Sequence, residues 1–187
     1  NYVFNAATNP VAYTVSPAVL NLTMSKTYDG TTGFTGSNTY SLNGTLYNGS
    51  SMPTISSGSA ATSSANAATY SSFTSNTFTL SNTNYTLTGG TVAATINQAN
   101  AYVIIGSGQS SVYGSTPTIN YTYYTNAAGT GGAAIASPAG LSGTATITNA
   151  PTSSSNAGSY NLTYASGLSS TNYVFNAATN PVAYTVS

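Results

Sequence analysis

The segment NYVFNAATNPVAYTVS at residues 1–16 returns letter for letter at residues 172–187. A sixteen-residue identity at an offset of 171 does not arise by chance in a chain this short. The economical reading is a window onto a longer tandem array, one period of 171 residues plus an overlap. Repeat architecture therefore comes before any other question about the fold.

A weaker symmetry runs inside the period. Folding the chain on itself near residue 85 aligns Thr83, Asn84 and Tyr85 with Thr171, Asn172 and Tyr173. It also aligns VAATI at 92–96 with VAYTV at 182–186, and the YDG turn at Tyr28 with Tyr113 and Gly114. The period then reads as two divergent copies of one fold, at 17–98 and 99–187, with 1–16 as the closing strands of a preceding copy. Two or three residues separate the last strand of one copy from the first of the next. Pro17 fixes φ in one such joint, so the expectation is a stiff string of units, unlike a chain with Gly/Ser linkers.

Secondary structure follows from alternation. Residues 11–15, 19–23, 77–80, 85–87, 92–96, 101–105, 118–123, 143–148, 160–164 and 172–175 are short and rich in Thr, Val, Ile and Tyr, with turn residues at their ends. That is the strand signature. Asn43-Gly44 and Asn48-Gly49 are candidate hairpin turns, because both central positions of such a turn need φ > 0. The Ala/Ser-rich run at 56–69 reads as loop or poorly patterned strand, since its Ser, Asn and Gly disfavour helix. The fold class expected is all-β, as two tandem small Ig-like β-sandwich domains or, alternatively, β-grasp-like sheets.

Charge is almost absent: Lys26 and Asp29 are the only charged side chains, and His, Cys and Trp are missing. Ordinary domains are about a quarter charged, so this surface must consist of hydroxyls, amides and tyrosine rings. Without self-repulsion such surfaces favour side-by-side association. Disorder is not expected, because 40% of the residues are hydrophobic. Nucleic-acid binding requires a basic footprint that one lysine cannot supply. No apolar run is long enough for a membrane span, and the lack of cysteine leaves the redox compartment open. With almost nothing to titrate or screen, assembly and stability are expected to change little between acid and mildly alkaline pH or with ionic strength.

The first copy resembles the YDG repeat domain of very large bacterial surface proteins similar to filamentous haemagglutinin adhesins. The resemblance is carried by LNLTMSKTYDGTT at 20–32, LSNTNYTL at 80–87 and AATI at 93–96. The second copy resembles the related YGX-type MBG domain, through VYGSTPTINY at 112–121, NAGSY at 156–160, Gly167, Leu168, and Thr171 to Tyr173. Such repeats usually carry scattered charged residues, of which this copy keeps a single pair. The resemblance implies a mostly-β spacer or stalk module in secreted, surface-attached proteins, with Lys26, Tyr28, Asp29, Gly30, Tyr113, Gly114, Asn84, Tyr85, Asn172 and Tyr173 as its structural motif residues.

Chemistry finds little to work with. Proton transfer needs a tunable group, a serine nucleophile needs an adjacent base, and metal sites need several carboxylate, imidazole or thiolate ligands. No catalytic, cofactor or metal residue is therefore expected. Tyr28, Asp29 and Gly30 read as a turn, with Asp bonding the backbone two residues on, Gly supplying φ > 0 and the tyrosine packed inward. Lys26 and Asp29 suit a surface ion pair worth at most ~1 kcal/mol. A covalent Lys–Asn clasp would need a buried acid beyond this carboxylate. Six Asn-X-Ser/Thr sites, at Asn21, Asn43, Asn48, Asn84, Asn120 and Asn161, are no more than chance supplies in so Asn- and Thr-rich a chain. At least half of the tyrosines are expected in the core, since larger aliphatic residues are scarce.

The function expected is a structural repeat of a long extracellular bacterial fibre or adhesin stalk, its partners copies of itself. The alternative is a module binding a glycan or another surface through Tyr, Asn and Thr faces. Either one long polypeptide or strand exchange through 1–16 would build the array.

Overall fold

The computed structural model describes residues 2, 3, 5 and 11–187. Among them there is no helix, and the chain is all-β. The first half contains β1 (Ala18–Val19), β2 (Asn21–Thr27), β3 (Gly33–Thr35), β4 (Thr39–Asn43), β5 (Ile55–Ser57), β6 (Ser59–Ala61), β7 (Ala68–Tyr70), β8 (Ser75–Asn76), β9 (Thr79–Leu80), β10 (Tyr85–Thr86) and β11 (Val92–Asn97). The second contains β12 (Ala99–Ile105), β13 (Ser110–Ser111), β14 (Tyr121–Tyr124), β15 (Ser142–Thr148), β16 (Gly158–Ser169), β17 (Tyr173–Ala177) and β18 (Val182–Val186). Every sheet joins strands of one half only: β1-β10, β4-β2-β11-β7, β3-β6-β8 and β5-β9 in the first, β14-β12-β17 and β13-β18-β16-β15 in the second.

Both halves open with the same manoeuvre. β1 lies parallel to β10, and at the fully buried Leu20 the chain changes partner, so that β2 lies parallel to β11. In the second half β12 lies parallel to β17, and the chain then rejoins as β13, parallel to β18. Equivalent pairings give the correspondence: Ala18↔Tyr85 matches Ala99↔Tyr173, Lys26↔Ile96 matches Ser111↔Val186, and Tyr70↔Ala94 matches Tyr160↔Tyr184. A first strand parallel to the last means the chain enters each half at one end and leaves at the other.

Alternation along these strands builds the cores. Leu22, Met24 and Lys26 of β2 point inward, against Phe34, Ala94 and Ile96. In the second half Ile105, Leu162, Tyr184 and Val186 form the corresponding cluster. Side chains on alternate positions of a strand share a face, which is why each of these runs has period two.

Several expectations are corrected. Residues 11–16 lie outside any strand and are exposed, while the same sequence forms β18 at the far end. A strand needs a ladder partner, and only the second copy has one, in β16. Those parts of the 1–16 reading that fall on residues 1, 4 and 6–10 lie outside the described residues. Asn43-Gly44 is no hairpin: Gly44 has φ 159°, and β4 ends at Asn43 with no strand after it before β5. Asn48 and Gly49 do form a turn with both φ positive, at 56° and 70°, closed by Ser50 N–H donating to Tyr47 O at 3.1 Å, although no strands flank it. Only Tyr85, Tyr164 and Tyr184 are fully buried, not half of the sixteen tyrosines. Most of the others are half-buried, because a tyrosine can cover apolar surface while its hydroxyl stays wet.

Candidate functional site: a lysine clasp and an amide joint

The YDG turn takes its shape from Asp29 and Gly30. Asp29 Oδ1 accepts from Thr31 N–H at 2.9 Å and from Thr31 Oγ1 at 2.8 Å, and Gly30 sits at φ 78°. In the second half Gly114 holds the matching turn at φ 84°, beside the exposed Tyr113. Lys26 Nζ donates to Asp29 Oδ1, Thr31 O and Thr31 Oγ1, each at 2.8 Å, and lies 5.3 Å from the centre of the Phe34 ring. The surface ion pair read from the sequence is thus half wrong. The Lys26 side chain is 4% exposed, while Asp29 stays 53% exposed. Register places Lys26 inward, and the three oxygens replace the water its ammonium loses. Ser111 stands at the equivalent position, and its buried Oγ has no partner.

Desolvation raises the Asp29 pKa, but hydrogen bonds from Lys26 and Thr31 and the charge of Lys26 outweigh it and hold the carboxyl below its ordinary value. A carboxyl depressed by folding contributes stability above the unfolded value near 3.9 and loses it as pH falls through the folded value. At the other extreme, desolvation and a neighbouring tyrosine raise Tyr123 and Tyr173. These rings stay protonated in the fold where the unfolded chain has begun to ionise, so stability declines above about pH 10. Urea midpoints are expected to be flat between about pH 5 and 9, and to drop by the equivalent of ~1 kcal/mol below pH 4, discounted for the exposed carboxyl. Asp29→Asn should remove the acid limb; an unchanged limb would place its origin elsewhere.

Asn84, Tyr85, Asn172 and Tyr173 are equivalent in register but differ in surroundings. Tyr85 is buried in the first core, with its hydroxyl accepting from Tyr47 N–H at 2.9 Å, and Asn84 is exposed. Asn172 is 3% exposed, because the first half covers it. Its Oδ1 accepts from Ala67 N–H at 2.8 Å, and its Nδ2 donates to Asn66 Oδ1 at 3.1 Å. Tyr28 packs against the first core as expected, half-buried. It meets Tyr173 edge to face, ring centres 5.3 Å apart, across the same joint.

Gln98 is the single residue between β11 and β12. Its Nε2 donates to the carbonyls of Ser170 at 2.9 Å, Thr171 at 3.2 Å and Tyr173 at 3.4 Å. Sequence reasoning missed Asn66, Ala67 and Gln98. A signal existed for two of them: NAATY at 66–70 repeats the pattern of NAGSY at 156–160. In both, the tyrosine hydroxyl donates to the asparagine carbonyl, at 2.6 and 2.7 Å.

Removing a buried amide leaves its partners unsatisfied, at ~1–3 kcal/mol. Asn172→Ala is therefore expected to lower stability by about 2 kcal/mol and to separate the tumbling rates of the two halves in NMR relaxation. A single shared rate in the variant would mean that the amide does not set the joint.

The turn is held by the Lys26–Asp29–Thr31 hydrogen bonds, and the joint by the Asn172 amide, the Gln98 amide and the Tyr28–Tyr173 contact. Among the described residues no cluster of three or more His, Cys, Asp or Glu is placed to hold a metal ion, and no helix is long and apolar enough to cross a membrane. No family model, curated protein or solved structure matches the chain.

Proposed function

We propose that the chain is a structural repeat unit of a long extracellular bacterial fibre or adhesin stalk, built from tandem Ig-like sandwich domains of the YDG and MBG type. The observation that carries this reading is the parallel pairing of first and last strands in each half, taken with the 171-residue repeat. Chain entry and exit at opposite ends let units follow one another without a return loop, and a one-residue connection with a buried amide joint resists bending between them. A sandwich suits the strands better than a grasp sheet, which packs its strands on a helix. Catalysis has no part in this reading, because the chain's one lysine and one aspartate are spent on a turn.

Denaturing electrophoresis of the native material tests it. A covalent array gives species far heavier than one 18.7 kDa unit. A ladder or small species means non-covalent, strand-exchanged subunits, and compact monomers in native size-exclusion chromatography of the same material would refute both forms.

The second reading, a glycan-binding module, draws less support from the aromatic residues. Tyr121, Tyr123 and Phe175 are cross-strand partners of the buried Ile105, Val103 and Ala101, so they share the inner face of the β14-β12-β17 sheet, and their rings meet at 76° and 59° instead of forming a flat platform. Binding of the two-half chain on a glycan array would favour this reading; no binding leaves the stalk reading alone.

A further inference from the structure

The joint inside the chain is a template whose two parts recur, unfilled, at its ends. In register, Tyr28 corresponds to Tyr113, because Tyr28 N–H donates to Asn97 O at 2.8 Å and Tyr113 N–H to Ser187 O at 2.7 Å. Asn66 and Ala67 correspond to Asn156 and Ala157 through the matching tyrosine bonds, and Asn172 corresponds to Asn84. The local support of the amide is also repeated: Asn172 N–H donates to Ser170 Oγ at 3.1 Å, and Asn84 N–H to Asn82 Oδ1 at 3.0 Å. What differs is burial. Asn172 is buried and Asn84 exposed; Ala67 is half-buried and Ala157 exposed; Tyr28 is half-buried and Tyr113 61% exposed.

We infer that Asn84 of a second copy's first half docks on Asn156 and Ala157 of this chain's second half, repeating the Asn172 joint from one period to the next. The inference rests on the tandem-array reading, which places residues 17–97 of a new period directly after Ser187. In the docked state the Asn84 side-chain carbonyl takes the Ala157 N–H, and its NH2 faces the Asn156 amide. The stacking part of the template is not repeated, because the Tyr85 ring is folded into its own core. Pro17 stands where Gln98 stands and has no side-chain donor. The joint between periods is therefore the weaker of the two, and flexing of the array concentrates there.

The chain contains no cysteine, so introduced thiols report on this geometry alone. The test lengthens the full chain by a second copy of residues 17–187, with Ala157→Cys in the first period and Asn84→Cys in the second. A reference version carries Ala67→Cys and Asn172→Cys within the first period. A control pairs Ser142→Cys of the first period, at the entry end of the second half, with Asn84→Cys of the second. After mild oxidation, non-reducing electrophoresis is expected to show the reference and the between-period pairs closed to within about twofold of each other, with the control several-fold lower. A between-period pair no better than the control, with the reference closed, overturns the inference while leaving the array intact. A reference pair that stays open removes the template and overturns it as well. Failure of the array itself reads out separately, as native material without threads.

Discussion

Tyr184→Ala is expected to destabilise the second half by about 3–4 kcal/mol, while Tyr13→Ala changes stability by no more than ~0.5 kcal/mol. The two tyrosines occupy the same place in identical sixteen-residue segments. Tyr184 is 1% exposed in the core cluster with Ile105, Leu162 and Val186, and β16 pairs with it through Tyr160. Tyr13 is 90% exposed, on a segment that pairs with no strand. Local sequence being equal, the whole difference comes from the partner strands. Chemical denaturation of the two variants measures it, and equal losses would show that residues 11–16 are already packed as β18 is.

The second large effect is expected where two backbones cross. Gly143 and Gly167 face each other across the β15–β16 ladder at a register irregularity, with φ of 85° and 97°. A Cβ on Gly167 would run into the Thr144 carbonyl oxygen, and one on Gly143 into that of Gly167. Both contacts are with backbone, which cannot rotate away as a side chain can. Gly167→Ala therefore combines left-handed strain of ~1–2 kcal/mol with a forced opening of the ladder, for a total of about 3 kcal/mol or more. Gly89→Ala isolates the strain, because its φ is 84° and its Cβ would meet nothing within 4 Å. Similar losses at the two sites would mean that the bulge yields freely.

Much of the all-β character was legible from alternation, and the equivalence of the two halves from the Thr-Asn-Tyr and VAATI/VAYTV matches. The register agrees with the latter, placing Ala94 with Tyr184 and Ile96 with Val186. The inward lysine was legible too, had the period-two run Leu22, Met24, Lys26 been carried one step further than its apolar members. The joint was not. Asn172 and Ala67 are 105 residues apart, and an asparagine carries no mark in the sequence that separates burial at an interface from exposure. The contrast of Asn84 with Asn172 makes the point, since both sit in Thr-Asn-Tyr and only one is covered. Nor could residues 11–15 reveal that they lack a partner strand when their twin at 182–186 has one.

Electron micrographs of the native material test the stiff end-to-end account most directly. The entry run of the first half, from β1 through Leu20 to the end of β2, covers residues 18–27, or roughly 33 Å at 3.3 Å per residue. Straight threads beaded every ~30–35 Å, with a true axial repeat of about 60–70 Å for the paired halves, are the predicted result. Isolated particles the size of one or two beads, or threads whose beads turn freely about their connections, would contradict it.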